Sequence, residues 1–324
     1  MSWSAICRCC DDGKIARMSD AALPSRGALA KAGVLDTDDA SAALALLSTD
    51  LVSDVAGSLS ECADPDAALA SFARIFGSHP AEVRALSSVH RRALMLLLGA
   101  SPVFAEHLQR HAEDLAFIAM ALAEDFEWKP ATVKMRLIDA TVGLPRVDAI
   151  SAMRRGYRLH LMVIALRDVV CGDDIEHTWA RLSDAADAAL EAALVIARAA
   201  HPAAAAACRL AVVAMGKCGA RELNYVSDVD VLFVAADAAA EPTPVSASTS
   251  VDHGADAVQA ATVVATELMR ICTEPNAEGA LWTVDANLRP EGRMGALVRS
   301  LSSYLEYYER WAKPWEFQAL LKAR

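Results

Sequence analysis

Residues 209–235 constrain the fold of this chain more than any other stretch. An apolar run leads into a glycine turn at Gly216–Gly219, and a polar loop then leads into a second apolar run, in the order RLAVVAMGKCGARELNYVSDVDVLFVA. Short apolar runs that are bounded by turn residues are typical of β-strands. We therefore predict a strand, a glycine turn and a second strand here.

Two aspartates, Asp228 and Asp230, lie at the start of the second predicted strand. Residues i and i+2 of a strand point to the same side, so both carboxylates would project together. Neighbouring carboxylates repel each other unless a cation lies between them, and such oxygen ligands suit a Mg²⁺ ion that also contacts phosphate. The stretch therefore predicts a metal-dependent, phosphate-handling site.

Two common phosphate motifs do not fit these residues. A P-loop requires glycine and Ser/Thr where this chain has Ala211 and Cys218. The dinucleotide fingerprint requires a third glycine in register after Gly216 and Gly219, and none follows.

A third aspartate, Asp285, lies further along the chain at the end of another β-rich run. Three carboxylates on neighbouring strands are the arrangement of the nucleotidyltransferase superfamily, in which metal ions neutralise phosphates and align the reacting oxygens.

Composition narrows the possible partners. The chain of 324 residues is 54% hydrophobic and has a formal net charge of −11, which argues against a nucleic-acid partner because such proteins present a basic surface. No apolar run is long enough to span a membrane, and no secretory signal is evident, so we expect a cytoplasmic protein. The cysteine cluster Cys7, Cys9 and Cys10 lacks a second ligand pair at zinc-site spacing, so we assign no metal to it.

The pattern along the chain predicts a mostly helical α+β protein. We expect an irregular segment over 1–36, a helical domain over 37–204 and a small mixed-sheet core over 205–312, with another helical domain beginning at 313–324. The helical domain carries a basic group on one predicted helix, which we interpret as a solvated face, with docking of an acidic protein surface as the alternative: Arg154, Arg155, Arg158 and Arg167. The aromatic helix from Ser300 is expected to continue through Trp311 and Trp315.

Two blocks together resemble the glutamine synthetase adenylyltransferase/adenylyl-removing family. They read AMGKCGARELNYVSDVDVLFV and VDANLRPEGRMGALVRSLSSYLEYYERWAKPWEFQALLKAR, and SPVFAEHLQRH resembles a segment of the family's helical region. Departures from the family pattern fall at Cys218, Ala220 and Val226, none of which is a carboxylate. The resemblance implies a polymerase beta-like nucleotidyltransferase core, followed in the family by a helical bundle.

The resemblance also implies an activity and a substrate. The family has two such cores. The N-terminal one removes AMP from a tyrosine of glutamine synthetase by phosphorolysis and releases ADP, and the C-terminal one adds AMP from ATP. This chain is more similar to the N-terminal half. Adenylylation by ATP, uridylylation of the signal protein PII, and a catalytically silent regulatory module remain open as alternatives, with PII also a possible regulatory partner.

Site residues follow from the resemblance one by one. Asp228, Asp230 and Asp285 would bind Mg²⁺ and carry catalysis. A second group would bind nucleotide or phosphate, through backbone N–H groups, a hydroxyl or cationic side chains: Gly216, Lys217, Gly219, Ser227, Arg289 and Arg293.

Overall fold

The computed structural model describes residues 23–238 and 253–324. The chain forms two compact units, of which the first ends at Ala105 and the second begins at Glu106. The expected boundary at 204/205 therefore falls inside the second unit. The cysteine cluster Cys7, Cys9 and Cys10 lies outside the described residues.

The first unit is helical. Its helices are α1 (Arg26–Lys31), α2 (Thr37–Ala45), α3 (Thr49–Ser58), α4 (Pro65–Ser78), α5 (Pro80–Ala85), α6 (Ser88–Ala100) and the first half of α7 (Pro102–Arg110). Proline begins α4, α5 and α7, where its missing N–H costs no hydrogen bond. Helix α1 corrects the expectation of an irregular start, because Ser25 caps it by accepting a hydrogen bond from the Ala28 N–H at 3.2 Å.

The second unit combines helices with a small sheet. After α7 come α8 (Phe117–Ala121), α9 (Pro130–Asp139), α10 (Arg146–Val169), α11 (Ile175–Ala200), α12 (Pro202–Ala207), α13 (Gly216–Gly219), α14 (His253–Thr273), α15 (Leu301–Arg310) and α16 (Pro314–Leu320). The strands are β1 (Cys208–Ala214), β2 (Val229–Asp237), β3 (Val284–Asp285) and β4 (Val298–Ser300). The predicted mostly helical α+β class is confirmed.

The sheet is mixed, and β2 is its organising strand. Strand β1 pairs with β2 in antiparallel fashion, whereas β3 and β4 pair with β2 in parallel at different points along it. The β2–β3 register places Val229 opposite Val284 and Asp230 opposite Asp285. The third predicted carboxylate therefore reaches the first two through backbone pairing.

The core of the second unit joins α10, α11 and α14 to the sheet. Alanines supply most of the buried face of α11: Ala185, Ala186, Ala188, Ala189, Ala192, Ala193 and Ala197. Small side chains let neighbouring elements approach closely, so the alanine-rich composition is used here for tight packing. Helices α9, α10 and α11, which precede β1 in sequence, thus share one apolar core with the sheet.

One local expectation was wrong, and one strand was missed. Strand β4 was not predicted because its three residues give no periodic signal. The aromatic helix ends at Arg310, and a separate helix begins at Pro314. Proline disfavours helical geometry in the residue before it and cannot donate to the preceding turn, so a continuous helix through Trp315 is excluded.

Candidate active site

Three carboxylates converge at one end of β2. Asp228 immediately precedes β2, Asp230 is its second residue, and Asp285 ends β3. Each can offer one oxygen such that all three oxygens lie within 4.8 Å of one another. Asp228 is exposed, whereas Asp230 and Asp285 are half-buried. The structure thus brings together the three aspartates that the sequence singles out, in an arrangement that can hold a divalent cation.

The electrostatics of this cluster favour a cation. Burial, reinforced by the negative charges of Asp228 and Asp285, raises the pKa of Asp230, and Lys217 acts in the opposite direction. Part of the cost of ionising Asp230 is therefore repulsion from its two neighbours. A bound cation would remove that repulsion.

Gly216 makes room for the Asp230 carboxylate. It begins α13 with φ of 53°, in the left-handed region. A Cβ at this position would collide with Asp230 Oδ2 and would lie 3.1 Å from its Cγ. The Met215 N–H donates to the Asp230 carbonyl at 2.8 Å, which ties the turn to β2. The glycine therefore lets the backbone of the turn pass directly over the carboxylate.

Gly219 has a packing role in the same turn. Its N–H donates to the Met215 carbonyl at 2.8 Å, so this donor is already used. A Cβ there would lie 2.6 Å from the Ala214 carbonyl oxygen and would also collide with the Lys322 carbonyl. The described contacts explain this glycine by close packing, and its predicted phosphate contact stays a prediction.

Lys217 lies in α13, and Ser227 lies at the end of the loop that connects α13 to β2, directly before Asp228. Lys217 is exposed and lowers the pKa of Asp230 through its charge. The Ser227 hydroxyl donates to Asp228 Oδ1 at 3.5 Å, at the limit of hydrogen bonding. Both lie beside the cluster, where the sequence places them, and their phosphate-binding role stays a prediction.

The two predicted phosphate-binding arginines differ in their surroundings. The Arg289 guanidinium donates to the carbonyls of Ala286 at 2.8 Å, Gly295 at 3.1 Å and Arg293 at 3.2 Å. Its donors therefore fasten the loop that follows Asp285. The Arg293 side chain is exposed and forms no ion pair with another described residue. Of the two, Arg293 is the one whose charge is available to an anion.

One support of Asp285 was missed by the sequence analysis. The Asn287 N–H donates to Asp285 Oδ1 at 2.6 Å. A carboxylate that accepts a hydrogen bond from a backbone two residues ahead forms an Asx turn, which fixes the side chain without any partner from elsewhere. The sequence Asp285-Ala286-Asn287 was the signal from which this turn could have been predicted.

The basic group on α10 is not a solvated face, so that interpretation was wrong. Arg154 is only 1% exposed and donates to the carbonyl of Ile271 at 2.7 Å, as well as to those of Glu274 and Gly279. Its neighbours pair with acidic residues in the same unit, including Arg155 with Asp114. Arg154 thereby closes the C-terminal end of α14 and holds the segment that leads to β3 and Asp285.

Comparison with known proteins identifies the family of this chain. The family model described as glutamate-ammonia ligase adenylyltransferase matches residues 91–324, which include the whole sheet and all three carboxylates. The chain belongs to this family. The resemblance inferred from the two sequence blocks is confirmed.

Similar proteins from several bacteria share one name, which differs from the description of the family model. The chain is 48% identical over 277 residues to a bifunctional glutamine synthetase adenylyltransferase/adenylyl-removing enzyme of Streptomyces avermitilis, covering 82% of this chain and 26% of the relative. It is 41% identical over 315 residues to that of Cutibacterium acnes, covering 91% and 31%. The chain therefore spans between a quarter and a third of the length of the curated relatives it matches.

No helix within 23–238 or 253–324 is both long enough and apolar enough to cross a membrane.

Proposed function

We propose that this family member catalyses Mg²⁺-dependent nucleotidyl transfer at Asp228, Asp230 and Asp285. The observation that carries the proposal is the convergence of three carboxylate oxygens within 4.8 Å at the β2–β3 edge. Strand pairing holds Asp230 and Asp285, and ligands on such a rigid base keep their positions while phosphate oxygens exchange. Mg²⁺ bound there would neutralise the phosphates and align the attacking and leaving oxygens.

The proposed reaction is phosphorolysis of an adenylyl-tyrosine of glutamine synthetase. An oxygen of inorganic phosphate attacks the AMP phosphorus, the bond from phosphorus to the tyrosine oxygen breaks, and that oxygen takes up a proton. The products are ADP and unmodified tyrosine. The direction rests on the resemblance to the N-terminal half of the family, and the relatives' printed names include an adenylyl-removing activity.

The chain's own residues divide the work. The three aspartates would hold the cation, and Gly216 lets the turn pass close to the Asp230 carboxylate. Lys217 and Arg293, both exposed, supply positive charge for the entering phosphate. Arg289 holds the loop that carries Arg293, because it donates to the Arg293 carbonyl. The cytoplasmic location expected from the sequence is part of the proposal.

A second candidate is transfer in the adding direction, from ATP to the tyrosine. It is favoured by the relatives' printed names, which also include adenylyltransferase. The same carboxylates would serve both directions, because the in-line geometry at phosphorus is common to both.

One assay separates the two directions. Glutamine synthetase that carries labelled AMP is incubated with the chain, phosphate and Mg²⁺, and labelled ADP is measured. A parallel reaction contains unmodified glutamine synthetase and labelled ATP. The proposal predicts ADP in the first reaction, and its loss in the Asp228→Asn/Asp230→Asn variant. Label transfer to the protein in the second reaction alone supports the adding direction. Equal release by wild type and variant contradicts the catalytic assignment.

A further inference from the structure

The loop between α13 and β2 carries an unusual backbone conformation. Arg221 has φ of 61°, and within the described ranges Glu291 is the other non-glycine residue with positive φ. Left-handed geometry is unfavourable for a residue with a Cβ and persists only where the surroundings enforce it. Both residues lie in loops next to the carboxylates, Arg221 before Asp228 and Glu291 after Asp285.

Asp184 on α11 holds the Arg221 side chain. The Arg221 guanidinium contacts both oxygens of Asp184, Nη1 to Oδ1 at 2.7 Å and Nη2 to Oδ2 at 3.0 Å. The Asp184 side chain is 4% exposed, whereas that of Arg221 is 43% exposed. Trp128 donates its indole N–H to Asp184 Oδ2 at 3.1 Å and so fixes the carboxylate from the other side. A fork of this kind sets orientation as well as distance.

Further contacts join the same loop to α10 and α11. The Leu223 N–H donates to the Ser183 hydroxyl at 3.3 Å, and Leu223 is buried. The Tyr225 hydroxyl donates to Asp168 Oδ2 at 2.9 Å. The loop thus has successive attachment points on the two long helices, and it ends at Asp228.

We propose that Asp184 is a positioning residue for the carboxylate cluster, acting through Arg221 to set the path of the loop that presents Asp228. Asp228 lies outside β2 and is the exposed member of the cluster, so strand pairing does not fix it as it fixes Asp230. The ion pair on α11 supplies the missing constraint. The proposal rests on the metal-binding function proposed above and assigns a role to residues outside that site.

Glu267 on α14 provides a matched control that distinguishes a positioning role of Asp184 from a merely structural one. Glu267 on α14 is likewise a buried carboxylate, with its side chain 6% exposed, and it accepts hydrogen bonds from Arg146 at 2.6 Å and Arg270 at 3.4 Å. It has no contact with the loop between α13 and β2 among the contacts of the described residues. Glu267→Gln and Asp184→Asn therefore both weaken a buried ion pair, but only the second acts on the loop.

The test measures Mn²⁺ affinity by the EPR signal of the free ion in the full chain. Loss of a group that hydrogen-bonds directly to a metal ligand weakens metal binding by about 10–100-fold, and Asp184 acts one step further away, through Arg221, so the lower end of this range is expected. We expect Asp184→Asn to raise the Mn²⁺ dissociation constant by about 10-fold and Glu267→Gln to leave it unchanged, although both lower the melting temperature. Hydrogen exchange should become faster in the loop before Asp228 in Asp184→Asn alone.

Three results would overturn the proposal. Equal Mn²⁺ affinity of wild type and Asp184→Asn would contradict the role of Asp184. A loss of affinity in Glu267→Gln as large as that in Asp184→Asn would contradict it as well. Failure of the wild type itself to bind Mn²⁺ contradicts the proposed function and removes the role of Asp184 with it. The first two results leave the proposed function intact.

A second variant covers the case in which Asp184→Asn does not fold. Arg221→Gln changes a side chain that is 43% exposed, so it removes the same contact with less effect on the core. We expect a similar loss of Mn²⁺ affinity. The double variant Asp184→Asn/Arg221→Gln should lose no more than the weaker-binding single variant, because both changes break one interaction. Additive losses would contradict action through Arg221.

Discussion

Asp230 on β2 and Asp285 on β3 are direct partners across a parallel strand pair. This pairing places two half-buried carboxylates side by side, and together with burial it raises the pKa of Asp230. The position is therefore arranged for binding a cation at some cost to the stability of the metal-free protein.

Asp230→Asn should stabilise the metal-free chain at neutral pH. A carboxyl whose pKa is higher in the folded than in the unfolded state binds its proton more tightly when folded. Its contribution to the free energy of unfolding is present below the unfolded-state pKa and is lost as pH rises through the folded-state pKa. Denaturant titrations from about pH 3.5, near the ordinary pKa of a carboxyl, to about pH 7.5 should show that the stability of the variant relative to wild type increases as pH rises. Parallel curves would contradict this electrostatic interpretation.

The stabilisation of wild type by Mg²⁺ should increase as pH rises. Protons compete with the cation for Asp230, so the increase in melting temperature on adding Mg²⁺ should be present at neutral pH and decrease as pH falls through the raised pKa of this residue. Asp230→Asn should show little increase at any pH. Thermal melts with and without Mg²⁺ measure this, and an increase that is independent of pH would contradict it.

Gly216→Ala should disrupt the site. The new Cβ would collide with Asp230 Oδ2, and alanine is also disfavoured at φ of 53°. We expect a loss of about 1–2 kcal/mol in unfolding free energy from the backbone alone and a marked loss of Mn²⁺ binding. Gly156→Ala on α10 is the control, because its Cβ would meet Leu137 at an ordinary 3.6 Å. That helical substitution should be neutral or stabilising by up to about 1 kcal/mol.

Arg154→Met should destabilise the second unit strongly. The substitution removes the Arg154 donor from the carbonyls of Ile271 and Glu274, whereas the Gly279 carbonyl keeps the Asn276 N–H at 3.1 Å. Each buried unsatisfied group costs about 1–3 kcal/mol, so a total of about 2 kcal/mol or more is expected in a denaturant titration. Arg270→Met, which removes a side chain that is 54% exposed and paired with Glu274, should cost less than about 1 kcal/mol. Equal costs would show that burial of Arg154 is unimportant.

Arg289 and Arg293 should respond differently to substitution by glutamine. Arg293→Gln should raise the KM for phosphate and leave the melting temperature unchanged, because its side chain is exposed. Arg289→Gln should lower both activity and melting temperature, because its three carbonyl contacts hold the loop. Phosphate titrations and thermal melts of the two variants test this, and an unchanged KM for Arg293→Gln would remove its proposed role.

Local sequence signals were sufficient for the elements that carry the carboxylates. The glycine turn and the alternation of Asp228, Val229 and Asp230 are short-range features, and they predicted both β1 and β2 closely. The third aspartate could be added because its own short run is β-rich. The sequence therefore predicted which residues converge, whereas the β2–β3 register became known only from the structure.

Long-range contacts explain what the sequence did not reveal. Arg154 resembles a surface residue in any local window, and its burial depends on carbonyls that are more than a hundred residues away in the chain. The Asp184–Arg221 ion pair likewise joins α11 to a loop beyond β1. Backbone conformation is equally hidden, because nothing in the residue type of Arg221 indicates positive φ. Such features arise from packing and not from propensity.

The binding of one divalent cation by Asp228, Asp230 and Asp285 together can be tested by a Mn²⁺ titration in which EPR measures the free ion. Wild type is compared with Asp228→Asn, Asp230→Asn and Asp285→Asn, with Asp187→Asn as a control in a carboxylate that pairs with Arg324 instead. We expect saturable binding by wild type and by Asp187→Asn, and weaker binding by about 10-fold or more in each of the three cluster variants. Equal binding by wild type and the cluster variants, or no binding by wild type, would contradict it.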